Sequence, residues 1–233
     1  MSTSVFLLLI FVIFVWILFF RSRSNKHEQQ RSELFRHLAG QLDMQFSTKM
    51  SRDFRQRLKA FNRFNNPTHR QGHRLSTIIN VLQNNANGVE TVFFECSPRG
   101  GHTGRNMEPI FYFKSSFLDL PNFHIRRSNI HQIRFLKSLG KGGVDIDHSP
   151  FSQKYLVKCS KEDTLRRLFC DEFLDFISSN DTFDIDGNGD QMIVYRAMYD
   201  DGSTSNMGRI DLNELKDVKQ QALEVYKYLS RPA

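Results

Sequence analysis

Leu75-Ser-Thr-Ile-Ile-Asn-Val-Leu82, a polar stretch ending in Asn87-Gly88, and then Val89-Glu-Thr-Val-Phe-Phe-Glu-Cys96 form the segment that decides the fold. Both flanks are rich in β-branched and aromatic residues. Asn and Gly tolerate the positive φ angles of a tight type I′ turn, so the pair reads as an antiparallel hairpin.

Working outward, Ile110 to Lys114, Phe123 to Arg126 and Tyr155 to Cys159 read as further strands. Phe183 to Asp186 and Met192 to Arg196 flank a Gly-rich turn as a second hairpin. Pro109 implies that the third strand starts near it or lies at an edge, because proline cannot donate to a ladder. Ser160-x-x-Asp163 resembles a capping pattern that opens a helix carrying Leu165, Leu168 and Phe169. Phe173, Leu174, Phe176 and Ile177 continue a helical pattern after it. Asp211-x-x-Glu214 opens an amphipathic helix with Leu212, Leu215, Val218, Ala222, Val225 and Leu229 on one face. Strands and helices that do not alternate strictly indicate an α+β fold with a mainly antiparallel sheet.

Upstream, Leu34, Phe35, Leu38, Ala39 and Leu42 recur at helical spacing, and Phe54, Leu58, Phe61 and Phe64 resume the stripe. Asn65-Asn66-Pro67 closes this neck. Residues 21–66 are therefore read as a basic juxtamembrane helical neck, and residues 73–230 as one globular domain.

Val5 to Phe20 is an unbroken run of 16 apolar residues behind a tail of residues 1–4. At about 1.5 Å of rise per residue it covers most of a bilayer core of about 30 Å, so it is read as a transmembrane helix. A secretory signal would carry basic residues before the run and a small-residue cleavage site after it, and neither is present. Arg21, Arg23 and Lys26 follow immediately, which places the domain on the cytoplasmic side of the plasma membrane.

The net charge of +7 is uneven: residues 21–74 hold 13 Lys or Arg against 4 Asp or Glu. Basic residues beside a membrane attract anionic headgroups by about 1 kcal/mol each. Arg21, Arg23 and Lys26 are the candidate headgroup ligands, and their position argues against nucleic acid as the partner. Three cysteines, Cys96, Cys159 and Cys170, show no CxxC spacing and suit a reducing compartment.

Four stretches carry a hint of chemistry. Asp184-Ile-Asp-Gly-Asn-Gly-Asp190 matches the first half of a calcium loop, but position twelve is Tyr195 where a bidentate Glu is needed, so the Gly-rich residues read as a hairpin turn. Asp145-Ile-Asp147-His148 puts two carboxylates on one face of an extended segment, the arrangement of an acid/base or metal pair. Arg99-Gly100-Gly101-His-Thr-Gly-Arg105 is a basic Gly-rich loop whose amides could cradle an anion, and Gly140-Lys141-Gly-Gly143 is a shorter relative of it. No metal, cofactor or catalytic nucleophile is assigned.

Leu120-Pro-Asn-Phe123-His-Ile-Arg126, Asp145-Ile-Asp147 with Phe151-Ser152 and Tyr155-Leu156, Arg167-Leu-Phe169, Gly187-x-Gly189 and Val194-Tyr195-Arg196 together resemble a group of uncharacterised bacterial proteins. These carry a similar domain, often behind a membrane helix, and the resemblance spans residues 35 to 230. Val144 and His148 stand where the group has Gln and Phe. The resemblance implies a bacterial inner membrane, makes the Asp145 and Gly187 motifs structural punctuation, and transfers no activity.

The expected function is thus a single-pass, membrane-anchored, non-enzymatic interaction module with an unidentified protein partner. The alternative is an enzyme or ligand-binding domain for a phosphorylated or lipid-derived compound at the membrane surface.

Overall fold

The computed structural model describes residue 16 and residues 29–65, 73–98, 107–180, 183–195 and 213–231. One eight-stranded sheet organises them. Its strands are β1 (Gln45–Ser47), β2 (His73–Ala86), β3 (Val89–Pro98), β4 (Glu108–Ser115), β5 (Leu120–Arg127), β6 (Tyr155–Cys159), β7 (Asp184–Gly189) and β8 (Gln191–Tyr195). The order across the sheet is β1-β2-β3-β4-β8-β7-β5-β6, and each neighbouring pair is antiparallel. The α+β class and the antiparallel sheet agree with the sequence. So does the hairpin: Asn87 and Gly88 have φ of 54° and 75°, as a type I′ turn requires.

Helices cover both faces of the sheet, which is why its central strands read as nearly continuous apolar runs. On β4, Phe111 and Phe113 point to one face, where α1 (residues 29–41) and α8 (Leu215–Leu229) lie with the helices that follow β5. Ile110 and Tyr112 point to the other, under α2 (Arg52–Leu58) and α3 (Asn62–Asn65). The alternation continues on β8, with Met192 and Val194 on the first face and Ile193 and Tyr195 on the second. α8 meets the first face through Leu215, Val218, Ala222, Val225 and Leu229, the spacing of a single helical stripe.

The stretch read as a helical neck packs onto the sheet itself. Phe35 is fully buried against it, Phe54, Leu58 and Phe61 close the second face, and Gln45–Ser47 pairs with β2 as a short edge strand. In β2 the register shifts at Asn80, whose φ is 52°. Ile78 and Val81, three residues apart, consequently share a face.

Pro109 stands second in β4, so the strand starts beside it as the first of its two readings expects, and the strand is interior. Other expectations needed correction. Ser160 does not cap α6 (Glu162–Leu168); Lys161 occupies that position without a side-chain bond. α8 starts at Leu215, after Glu214, and Asp211 lies outside the described residues. A helix absent from the reading above, α4 (Ile130–Ser138), follows β5 and is capped by Asn129, whose side chain accepts from the Gln132 amide. The short α5 (Ser149–Ser152) and α7 (Asp171–Asn180) complete the set.

Among the described residues no helix is long and apolar enough to cross a membrane. The run Val5 to Phe20 lies outside them apart from Trp16, which is helical and 63% exposed.

Candidate functional site

The two ends of the sheet differ. One carries the tight turns at Asn87-Gly88 and Asp190 and the short β4–β5 connection at Phe117. At the other, the registers Cys96 with Glu108, Ile110 with Tyr195, Tyr195 with Asp184 and Arg127 with Tyr155 align the strand ends. α4 departs from that second end, and the connection between β3 and β4 leaves and re-enters there.

A buried ionic cluster sits just beneath this second end. Arg63, on α3, pairs with Glu108 at the start of β4 and lies with its guanidinium carbon 3.8 Å from the centroid of the Tyr195 ring. Tyr195 Oη donates to Asp186 Oδ1 at 3.3 Å, and the same oxygen meets His124 Nδ1 across the β5–β7 ladder. Asp184 Oδ1 accepts from the Arg127 amide at 2.8 Å. Arg63, Glu108, Asp184, Asp186 and Tyr195 are all buried. Burial works against the charge on Arg63, but Tyr195, Glu108 and Asp184 outweigh it and hold the guanidinium protonated above its ordinary value. Burial, reinforced by Asp186, pushes the Tyr195 hydroxyl well above its usual range. Burial also opposes charge on His124, yet the Asp186 carboxylate dominates and raises its pKa. Among the described residues Asp186 Oδ2 has no hydrogen-bond partner.

On the opposite face a second buried carboxylate ties down the start of α1. Arg31 Nε donates to both oxygens of Glu95 at 3.0 Å. Asn80 donates to Glu95 Oε2 at 2.7 Å and accepts from Ser32 at 2.8 Å, so the bulged residue joins α1, β2 and β3.

The stretch read as a possible calcium loop is the β7–β8 hairpin. Its first two carboxylates serve the cluster, and among the described residues no group of three metal-binding side chains converges. Asp145 and Asp147 are exposed on either side of buried Ile146, with Asp145 paired to Lys137 at 2.7 Å. His148 is engaged elsewhere. Its Nδ1 accepts from the Phe151 amide, which caps α5, and its Nε2 donates to Asp175 at 3.1 Å.

Arg99, Gly100, Gly101 and Arg105 lie outside the described residues, as do Arg21, Arg23 and Lys26. Lys141 is exposed just past α4. Its amide donates to Leu136 O at 2.8 Å and that of Gly140, at φ 68°, to Lys137 O at 3.0 Å. This is a Schellman helix end. Both amides are spent on helix carbonyls, so what remains for an anion is the Lys141 ammonium.

A cleft of about 490 Å³ at the hairpin end is lined by Asp43, Gln45, Gln83, Asn84, Asn85 and Glu90, together with Ala39, Gly40 and Met44. It offers amides and carboxylates but no cation, which does not suit a phosphate. Nearby Lys219 is already bonded to Leu42 O at 3.2 Å.

The cluster escaped sequence reasoning because its partners are remote, 45 residues apart for Arg63 and Glu108 and 62 for His124 and Asp186. The available signal was Glu108, Asp184 and Asp186 standing at inward positions of strand patterns. Exposed Phe135 and Leu139 on α4 were missed with the helix itself.

No protein-family model matches the chain, and no curated protein resembles it in sequence. Among solved structures it is similar to the crystal structure of the mycobacterial trehalose monomycolate transport factor A, TtfA. That likeness has 10% identity over 85% of this chain and 92% of that one, with a TM-score of 0.47. At that level nothing about this chain's activity follows from it.

Proposed function

We infer that the chain is a membrane-tethered, non-enzymatic interaction module that works on the cytoplasmic face of the bacterial inner membrane. The observation that carries the reading is the asymmetry of the sheet. The start of α1, by which the chain arrives from its apolar N-terminal run, is tied by Arg31 to Glu95 at the end from which α4 projects. The hairpin turns point the other way.

The enclosed state of the ionisable groups supports the same reading. His124 and Tyr195 both bond the buried Asp186 carboxylate, and Arg63 and Glu108 close the group. Such a network fixes the strand ends in place. A protein partner is expected to engage the assembled domain.

Photo-crosslinking of the full chain in its own membranes tests this. A discrete protein adduct is the expected result, and its absence across crosslinking positions at both ends of the sheet sinks the reading. Protease added to intact spheroplasts tests the compartment independently: a domain on the cytoplasmic side survives until the membrane is broken.

A further inference from the structure

α4 is amphipathic in an unusual sense. Ile133 is its buried anchor, while Phe135 and Leu139, one turn apart, are 63% and 52% exposed. At 3.6 residues per turn the two exposed side chains point about 140° away from Ile133, directly off the body of the domain. The two side chains form a small exposed apolar patch, and its surroundings decide what it can contact.

The surrounding charge selects the partner. From Leu120 to Val144 the chain holds five basic residues, Arg126, Arg127, Arg134, Lys137 and Lys141, and no Asp or Glu. Arg134 and Lys141 are exposed and flank Phe135 and Leu139 in sequence, the first on α4 and the second just past its end. Asp145, the residue after Val144, is exposed and pairs with Lys137, so Arg134 and Lys141 carry the positive charge beside the apolar wedge, and that combination matches a surface of anionic headgroups over acyl chains.

Position agrees with chemistry. β5 leads into α4 at the end of the sheet where Arg31 fixes the start of α1 to β3. Four strand spacings separate β3 from β5, about 19 Å. The described part of α1 begins nine residues after Phe20, so a bilayer holding residues 5–20 lies within reach of α4.

We propose that α4 docks on the anionic surface of the membrane that anchors the chain, with Phe135 and Leu139 entering the headgroup boundary and Arg134 and Lys141 meeting lipid phosphates. This rests on the tethered reading above and names its lipid partner. Docking fixes the orientation of the domain, turning the cleft at the hairpin end outward.

The test uses the full chain with Trp16→Phe and Phe135→Trp, reconstituted into phosphatidylcholine vesicles with or without phosphatidylserine, and quenched by lipids brominated near the headgroup. A parallel chain carries Phe117→Trp, an exposed site at the hairpin end. The expected result is strong quenching at position 135 in phosphatidylserine vesicles, little at position 117, and a loss of at least about 25-fold in the docked-to-undocked ratio on Arg134→Glu with Lys141→Glu, since each basic residue near such a surface is worth about fivefold in partitioning. Equal quenching at the two positions, quenching indifferent to phosphatidylserine, or none at position 135 in chains that float with the vesicles overturns the docking. Chains that do not float with vesicles overturn the tether instead. Circular dichroism of each variant confirms that the comparison is between folded chains.

Discussion

Arg63 lies face-on to the Tyr195 ring, 3.8 Å from its centroid, and reaches the Glu108 carboxylate with the same guanidinium. One side chain of a four-residue helix thereby clamps the ends of two adjacent strands, β4 and β8. α3 is too short to hold its place by helix propensity, so the clamp and the packing of Phe61 account for its position.

Arg63→Met removes the guanidinium that faces the buried Glu108 carboxylate. The loss is expected to be about 3–5 kcal/mol in urea unfolding, because removing one partner of a buried pair exposes the full desolvation cost of the other. Replacing both, Arg63→Met with Glu108→Leu, should recover much of that loss. A double variant as unstable as the single one shows that Glu108 was not the source of the penalty.

His124 makes stability depend on pH with a definite sign. Its folded pKa lies above the ordinary value of 6.5 because Asp186 prevails over burial. Its contribution is therefore complete below about pH 6.5 and is lost as pH rises through the folded pKa. The urea midpoint of the native chain should fall across that interval, and His124→Gln should flatten the dependence. Identical slopes for the two chains rule out His124 as the titrating group.

A Cβ at position 187 would stand 2.3 Å from Cε1 of Phe123, whose ring is 2% exposed and held against Phe169. Gly187→Ala should cost about 1–3 kcal/mol through overpacking. Trimming the ring with Phe123→Leu in the same chain should return part of it. Additive losses in the double variant count against steric conflict as the cause.

The three thiols should separate by access. Cys96 is buried, whereas Cys159 and Cys170 are partly exposed. Maleimide is expected to modify the latter two in the folded chain and Cys96 only on unfolding, since thiolate chemistry requires contact with the reagent. Early labelling of Cys96 indicates that β3 is less well covered than the helices on it suggest.

These sites also show what a sequence can and cannot reveal. The Asn87-Gly88 hairpin was legible because local φ preferences decide it, and β6 was read from Tyr155 to Cys159 to the residue. β1 was not, since three residues give no periodicity and its strand character comes from pairing with β2. α4 was overlooked because exposed Phe135 and Leu139 on the opposite side blur the short stripe of Ile130, Ile133 and Leu136. The ionic cluster depends on which strands become neighbours, and no local pattern encodes that. Asp184 and Asp186 advertised a calcium loop for the same reason: their spacing is local, while their partners Arg127, His124 and Tyr195 are supplied by the fold.

The strand order carries a consequence for biosynthesis. β4 and β5 follow one another in the chain, yet β8 and β7 lie between them. Until residues through Tyr195 have left the ribosome, neither β4 nor β5 can gain its inner neighbour, so any pairing formed by then leaves edges open at what becomes the middle of the sheet. The N-terminal run emerges long before that. The emergence of that run and the completion of the sheet are thus separated in time, and a chain truncated ahead of β7 would present those open edges to any neighbouring chain.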